Sequence, residues 1–196
     1  MAFYIISIVG ADILILIINL LVNKHFFNMP IWYICVASIS AAVIVIAIDG
    51  LTAWLVRRLP EPWFTADKKI WDVSKKECTV YEKIGIKNWK DKVIELGIFT
   101  NFSKKTIADP KSLEYIERFI MESNFGAVIH IVNIICAYAV IFCYPLKYWL
   151  CFGFPAACVN AFLSILPFFI LRYNNNRLLR LRAILIKKAT KATEEK

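Results

Sequence analysis

Four stretches of the chain, about 2–22, 31–56, 126–146 and 148–171, are each some twenty or more residues of almost unbroken apolar side chains. A helix crossing the roughly 30 Å of bilayer hydrocarbon needs about 20 such residues, so the pattern predicts four membrane-spanning helices. Composition agrees, because 59% of the 196 residues are hydrophobic and 20% are charged. A soluble domain of this length has too little interior to hide that surface. With six glycines and seven prolines, a collagen-like or low-complexity chain is excluded as well. The first stretch has no basic residue before it and no small-residue cleavage site after it, so it reads as a retained span and not as a signal peptide.

The links between spans predict how they are arranged. Residues 22–30 hold one lysine and residues 144–148 another, and both are short enough to be turns, which gives two hairpins. Residues 57–125 carry 14 Lys and Arg, and the segment after 171 carries 8. By the positive-inside rule both lie in the cytoplasm together with the N-terminus, and Arg57, Arg58, Arg172, Arg177, Arg180 and Arg182 weigh most because they flank the spans. The expected fold class is therefore an all-α polytopic membrane protein. Its divisions are hairpin 1 (1–56), a helical cytoplasmic or interfacial region (57–125), hairpin 2 (126–171) and a basic tail (172–196).

The middle region has apolar residues of its own, among them Trp63, Phe64, Trp71, Tyr81, Trp89, Ile98 and Phe99, and is expected to pack as a layer. A helix over 67–84 would set Ile70, Val73, Tyr81 and Ile84 on one side. Asp109-Pro110 reads as an N-cap with proline at the first helical position, starting a helix that leads into the third span. The net charge of +9 fits anionic lipid headgroups as partners, and nucleic acid is not expected.

Polar side chains inside the spans are the candidate functional residues, because burying them in lipid is unfavourable unless they serve a purpose. They are Asp12, Asp49, His130 and Asn160. On a continuous helix Glu122, His130 and Asn133 share a sector about 80° wide, with about 12 Å between Glu122 and His130. A neutral imidazole suits a general base, and Asn133 or Asn160 suits donation to a developing oxyanion. Helix-to-helix hydrogen bonding is the plainer role for the same groups. Arg172 and Arg177 follow Pro167 at the end of the fourth span, where they serve either as topology anchors or as phosphate ligands. The six cysteines form no CxxC pair, and no zinc spacing, P-loop, GxGxxG or GxSxG is present, so neither metal nor cofactor is expected.

Three blocks carry a likeness. They are Tyr81-Glu-Lys-Ile-Gly-Ile-Lys-Asn-Trp-Lys-Asp-Lys, Glu122-Ser-x-x-Gly-x-x-x-His130, and Asn160 through Ile165-Leu-Pro-Phe168 to Arg172-Tyr-Asn174 and Arg177-Leu178. Over roughly residues 60–180 the chain resembles the glycosyl-4,4'-diaponeurosporenoate acyltransferase family of small bacterial membrane proteins. Three departures from that family's pattern stand out: Ala127 where a second Glu is expected near His130, Val93 where a Pro is expected, and a wider spacing between Asn174 and Arg177.

The resemblance implies transfer of a fatty acyl group from acyl-CoA or another acyl thioester to a sugar hydroxyl of a membrane glycolipid, in a bacterial cell membrane. It implies His130 as base with Glu122 beside it, Asn160, Asn133 or Trp89 at the oxyanion, and Arg172, Arg177 or Arg180 at the donor's phosphates. Trp89, Lys90, Tyr173 and Asn174, which lie in the matching blocks, join the donor-binding set, and Lys87, Lys90 and Lys92 steer the polyanion. A rival reading from another class is a small transporter or assembly subunit using Asp12 and Asp49.

Overall fold

The computed structural model describes residues 2–93 and 107–194, so Ile98 and Phe99 lie outside the described residues. Among the described residues the chain is helical and has no strand. The helices are α1 (Ala2–Phe26), α2 (Ile31–Val56), α3 (Lys75–Lys83), α4 (Ile86–Trp89), α5 (Leu113–Cys136) and α6 (Gly153–Glu194), with short 3-10 turns between them. Four segments are long and apolar enough to cross a bilayer: Ile5–Phe26, Ile31–Val56, Leu113–Cys143 and Gly153–Glu194. Helices are the expected form there, because they satisfy their backbone groups internally where no water is available.

The chain divides into two compact units. The first is Met1–Leu55 with Ile129–Ile165, and the second is Val56–Val128 with Leu166–Lys196.

In the first unit, Asn23 fixes the link between α1 and α2. Its Nδ2 donates to the Met29 carbonyl at 2.8 Å, and its Oδ1 accepts from the Met29 N–H at 2.6 Å. Asn28 takes the positive φ of 53° that this tight reversal needs, a conformation Asn tolerates better than most residues. The core of the unit is a row on α2, Ile34, Ala37, Ala41 and Val45, spaced three and four apart and packed with Ala137, Val140, Phe152 and Ala157. Beyond Cys136 the helix tightens to a 3-10 form over Ala137–Cys143, and a turn leads into α6. At Gly153 an added Cβ would lie 2.8 Å from the Ile141 Cα, so only glycine permits this approach of backbone to backbone. The Tyr144 hydroxyl donates to the Ala37 carbonyl at 3.0 Å, and Asn19 Nδ2 donates to the Cys151 carbonyl at 2.7 Å.

In the second unit, Ile116, Phe119 and Ile120 of α5 pack with Leu178 of α6 and with the partly buried Leu181 and Leu185. Phe64 stacks on Phe125 at 3.7 Å between centroids and also on Trp71, and Tyr81 meets Phe169. α3 ends at Gly85, whose φ of 69° is the left-handed stop glycine favours, and whose N–H reaches back to the Glu82 carbonyl.

The structure corrects three details of the sequence reading. The helix expected over 67–84 is shorter: Ser74 accepts from the Glu77 N–H and starts α3 at Lys75, while Lys69–Trp71 form only a 3-10 turn. Ile70, expected to share a helix side with Tyr81, is exposed, whereas Trp71 and Tyr81 are buried. The cap of α5 is Ser112 and not Asp109. The Ser112 hydroxyl accepts from the Tyr115 N–H, and Asp109 instead closes the preceding turn by accepting from the Lys111 and Ser112 N–H groups. Finally, the fourth span begins at Gly153 rather than at 148, and its helix runs unbroken through Pro167 to Glu194, well past the expected end at 171.

Candidate functional site

The spans of the first unit hold a run of hydrogen bonds among amide, hydroxyl and carboxyl groups. Asn160 of α6 donates from Nδ2 to Asp49 Oδ1 of α2 at 3.0 Å. One turn further along α2, the Thr52 hydroxyl reaches the Asp49 carbonyl at 3.0 Å and also bonds Asn133 Oδ1 of α5. The Thr52 hydroxyl has one hydrogen for these two acceptors, and the Asn133 amide beside it is buried. His130, half-buried, lies three residues before Asn133 on α5 and so on the same side of the helix. Asp12 of α1 and Asn160 line one cavity with apolar residues of α1, α2 and α6.

The second unit answers charge with charge. Arg172 Nε and Nη2 meet the two Glu77 carboxylate oxygens at 2.9 Å each, the paired geometry that suits a guanidinium. Its remaining donors reach the Trp71 carbonyl at 3.2 Å and the Asp72 carbonyl at 2.9 Å. Burial pushes the Glu77 carboxyl up, but hydrogen bonds from Arg172 and Tyr81 with the Arg172 charge outweigh it, and Glu77 is held below the usual carboxylate range. Burial and the neighbouring Glu77 raise the Tyr81 hydroxyl. Beside this staple, Asn175 Nδ2 donates to Asn124 Oδ1 at 3.1 Å, and Asn124 Nδ2 donates to the Phe64 carbonyl at 2.8 Å. Arg57 pairs with Glu122 at 2.8 Å and sits over the Phe125 ring. Arg182 bridges Glu117 and Asp67.

The residues singled out from sequence thus fall in two places. His130, Asn133 and Asn160 are in the first unit; Glu122, Trp89, Lys90, Arg172, Tyr173, Asn174, Arg177 and Arg180 are in the second. Glu122 is engaged by Arg57, and Arg172 by Glu77 and two carbonyls. Trp89 Nε1 donates to the Ile84 carbonyl at 3.1 Å, and Lys90 sits 5.8 Å from the Tyr173 ring centre. The Tyr173 hydroxyl approaches Glu82 at 3.5 Å, while Lys87 pairs with Glu82 at 2.8 Å and lowers that carboxyl. Asn174 is half-buried, and Arg177 and Arg180 are exposed. Among the described residues no group of three or more His, Cys, Asp or Glu side chains is placed to hold a metal ion.

The model of the glycosyl-4,4'-diaponeurosporenoate acyltransferase family matches residues 60–184, which is more than half of the chain and takes in His130, Asn133, Asn160 and Arg172 but not Asp12, Asp49, Thr52 or Arg57. The chain belongs to this family. By its description the family is one of acyltransferases acting on a glycosyl carotenoid. No curated protein and no solved structure matches the chain.

Sequence reasoning missed Thr52, Glu77, Asn124 and Asn175. Thr52 lies in an apolar run and could have been noticed as a polar residue three positions from Asp49. Glu77 looked like one more charge on a solvated helix, and nothing local marks it as the partner of an arginine 95 positions away.

Proposed function

We propose that this protein transfers a fatty acyl group from an acyl thioester, acyl-CoA being the donor, to a sugar hydroxyl of a membrane glycolipid, a glycosylated carotenoid being the acceptor that fits the family. The supporting observation is that the family match spans 60–184 and that, of the two histidines in the chain, only His130 falls within it. Acyl transfer to an alcohol needs a base near neutrality, and the imidazole is the side chain best suited to that task.

In this reading His130 takes the proton from the acceptor hydroxyl as its oxygen attacks the thioester carbonyl. The carbonyl oxygen becomes an oxyanion, to which the Asn133 amide donates. That attack forms the ester C–O bond; collapse then restores the carbonyl and breaks the C–S bond, and His130 returns its proton to the leaving sulfur. No acyl-enzyme is needed. Arg177 and Arg180, both exposed, attract the donor's phosphates, with Lys87, Lys90 and Lys92 adding to the field. Arg172 has four of its five N–H donors engaged by Glu77, Trp71 and Asp72, so its part in this reading is to hold the neighbouring Tyr173 and Asn174 in place. In this reading the basic segments face the cytoplasm of a bacterial cell, as the positive-inside rule favours, where an acyl-CoA pool would be met.

Mass spectrometry of membrane lipids from cells with and without the protein tests this. A glycolipid heavier by one acyl chain is expected only with the wild-type protein and is expected to vanish with His130→Ala. Full acylation by His130→Ala would remove the assignment. Ion flux lost in Asp12→Asn and indifferent to His130 would favour transport instead.

A further inference from the structure

α1, α2 and α6 surround a half-open cavity within the first unit, with about 390 Å³ of empty volume including its open side. Alanine from each helix, Ala11, Ala42 and Ala156, leaves the space, and Val45 and Leu163 are among the apolar groups that wall it. The lining residues also include Asp12 and Asn160 but, among the described residues, no Lys, Arg or His. A carboxyl facing a cavity inside a membrane-spanning unit is unfavourable enough to suggest a ligand. The chemistry of the two polar groups narrows that ligand. Asn160 has one N–H committed to Asp49 Oδ1, which fixes its amide and leaves a second N–H to donate. A lipid ending in a carboxylate would bring a second acid beside Asp12 with no cation in the lining. A hydroxyl both donates and accepts, and so satisfies both groups at once.

We propose that this cavity binds the hydroxyl end of a long-chain lipid, the hydroxyl donating to the Asp12 carboxyl and accepting from Asn160, with the chain along the apolar wall. The medium around spanning helices is hydrocarbon, so such a chain enters from the side without leaving lipid. Asp49 is the positioning residue, acting through Asn160. The proposal goes beyond the acyl-transfer reading and needs no turnover.

The test uses the full chain in lipid nanodiscs and a long-chain alcohol carrying a photoactivatable diazirine, competed by the plain alcohol or by the fatty acid of equal chain length. Labelling is expected on peptides of α1, α2 and α6, and the alcohol is expected to compete about tenfold better than the acid. Asp12→Asn is expected to erase that preference, and Ala42→Leu to cut labelling by filling the space. If Ala42→Leu does not fold, Ala156→Val carries the same expectation. Equal competition by alcohol and acid in the wild-type protein would overturn the proposal, as would labelling untouched by the filling substitution. Because the readout is binding, a protein that labels as expected but yields no acylated lipid would refute the acyl-transfer reading alone.

Discussion

The two units solve the same problem, how to hold helices together through polar groups, with different chemistry. In the first unit the links between segments are single neutral or one-sided bonds: Asn160 to Asp49, Thr52 to Asn133, Asn19 to the Cys151 carbonyl and Tyr144 to the Ala37 carbonyl. In the second, beside the amide links of Asn124 with Asn175 and Phe64, there are ion pairs: Arg172 with Glu77, Arg182 with Glu117 and Asp67, and Arg57 with Glu122. The reason is solvent. A full ion pair is hard to desolvate in hydrocarbon, whereas an amide or hydroxyl needs only one partner. The same difference divides the proposed labour, with proton transfer in the first unit and electrostatic capture of the donor in the second.

That division is broken most directly at His130. His130→Asn is expected to lower kcat by about 100-fold or more, the usual scale of a lost general base, without weakening donor binding. Arg177→Ala combined with Arg180→Ala is expected to do the reverse, raising the donor's KM several-fold and making it less sensitive to salt. Steady-state kinetics on the purified protein separates the two, and equal loss of kcat in both variants would erase the distinction.

For stability the order reverses, because the charged unit has more to lose. Arg172→Met strands Glu77 and two carbonyls, and its side chain is only 12% exposed, so a loss of about 2–4 kcal/mol is expected from thermal unfolding. Gly153→Ala forces a Cβ against the Ile141 backbone and is expected to lose about 1–3 kcal/mol, the scale of overpacking. Asp49→Ala removes one hydrogen bond within the spans and is expected to lose only about 0.6 kcal/mol. A larger loss for Asp49→Ala than for Arg172→Met would invert the comparison.

The smallest effect is a dependence on acid. Glu77 has its carboxyl held below the usual 4.5, so its contribution is complete above that value and is lost as pH falls through the lowered one. The melting temperature of the wild-type protein is expected to fall more steeply below about pH 4.5 than that of Glu77→Gln. Parallel curves would show that the pair adds nothing to folding.

Much of this was readable beforehand, and the part that was not has a common cause. The α2 and α5 spans follow from apolar runs, and Phe64, Trp71 and Tyr81, expected to pack as a layer, are buried. Helix ends were harder, because Ser74 and Ser112 compete with other capping residues only a few positions away. Hardest was the meaning of the arginines. Arg172 has the sequence context of a phosphate ligand, yet Glu77, 95 positions earlier, occupies it.

The amino-acid order alone determined that the chain is helical, that four segments suit a bilayer, and which family it resembles, because each of these depends on neighbours in the chain. Tertiary structure alone decided which polar groups are spent on holding the fold and which remain for a ligand. Hydrogen-bond partners are chosen by distance in space, and Arg172 with Glu77, or Asn160 with Asp49, are separated by about a hundred residues of chain that carry no mark of their meeting.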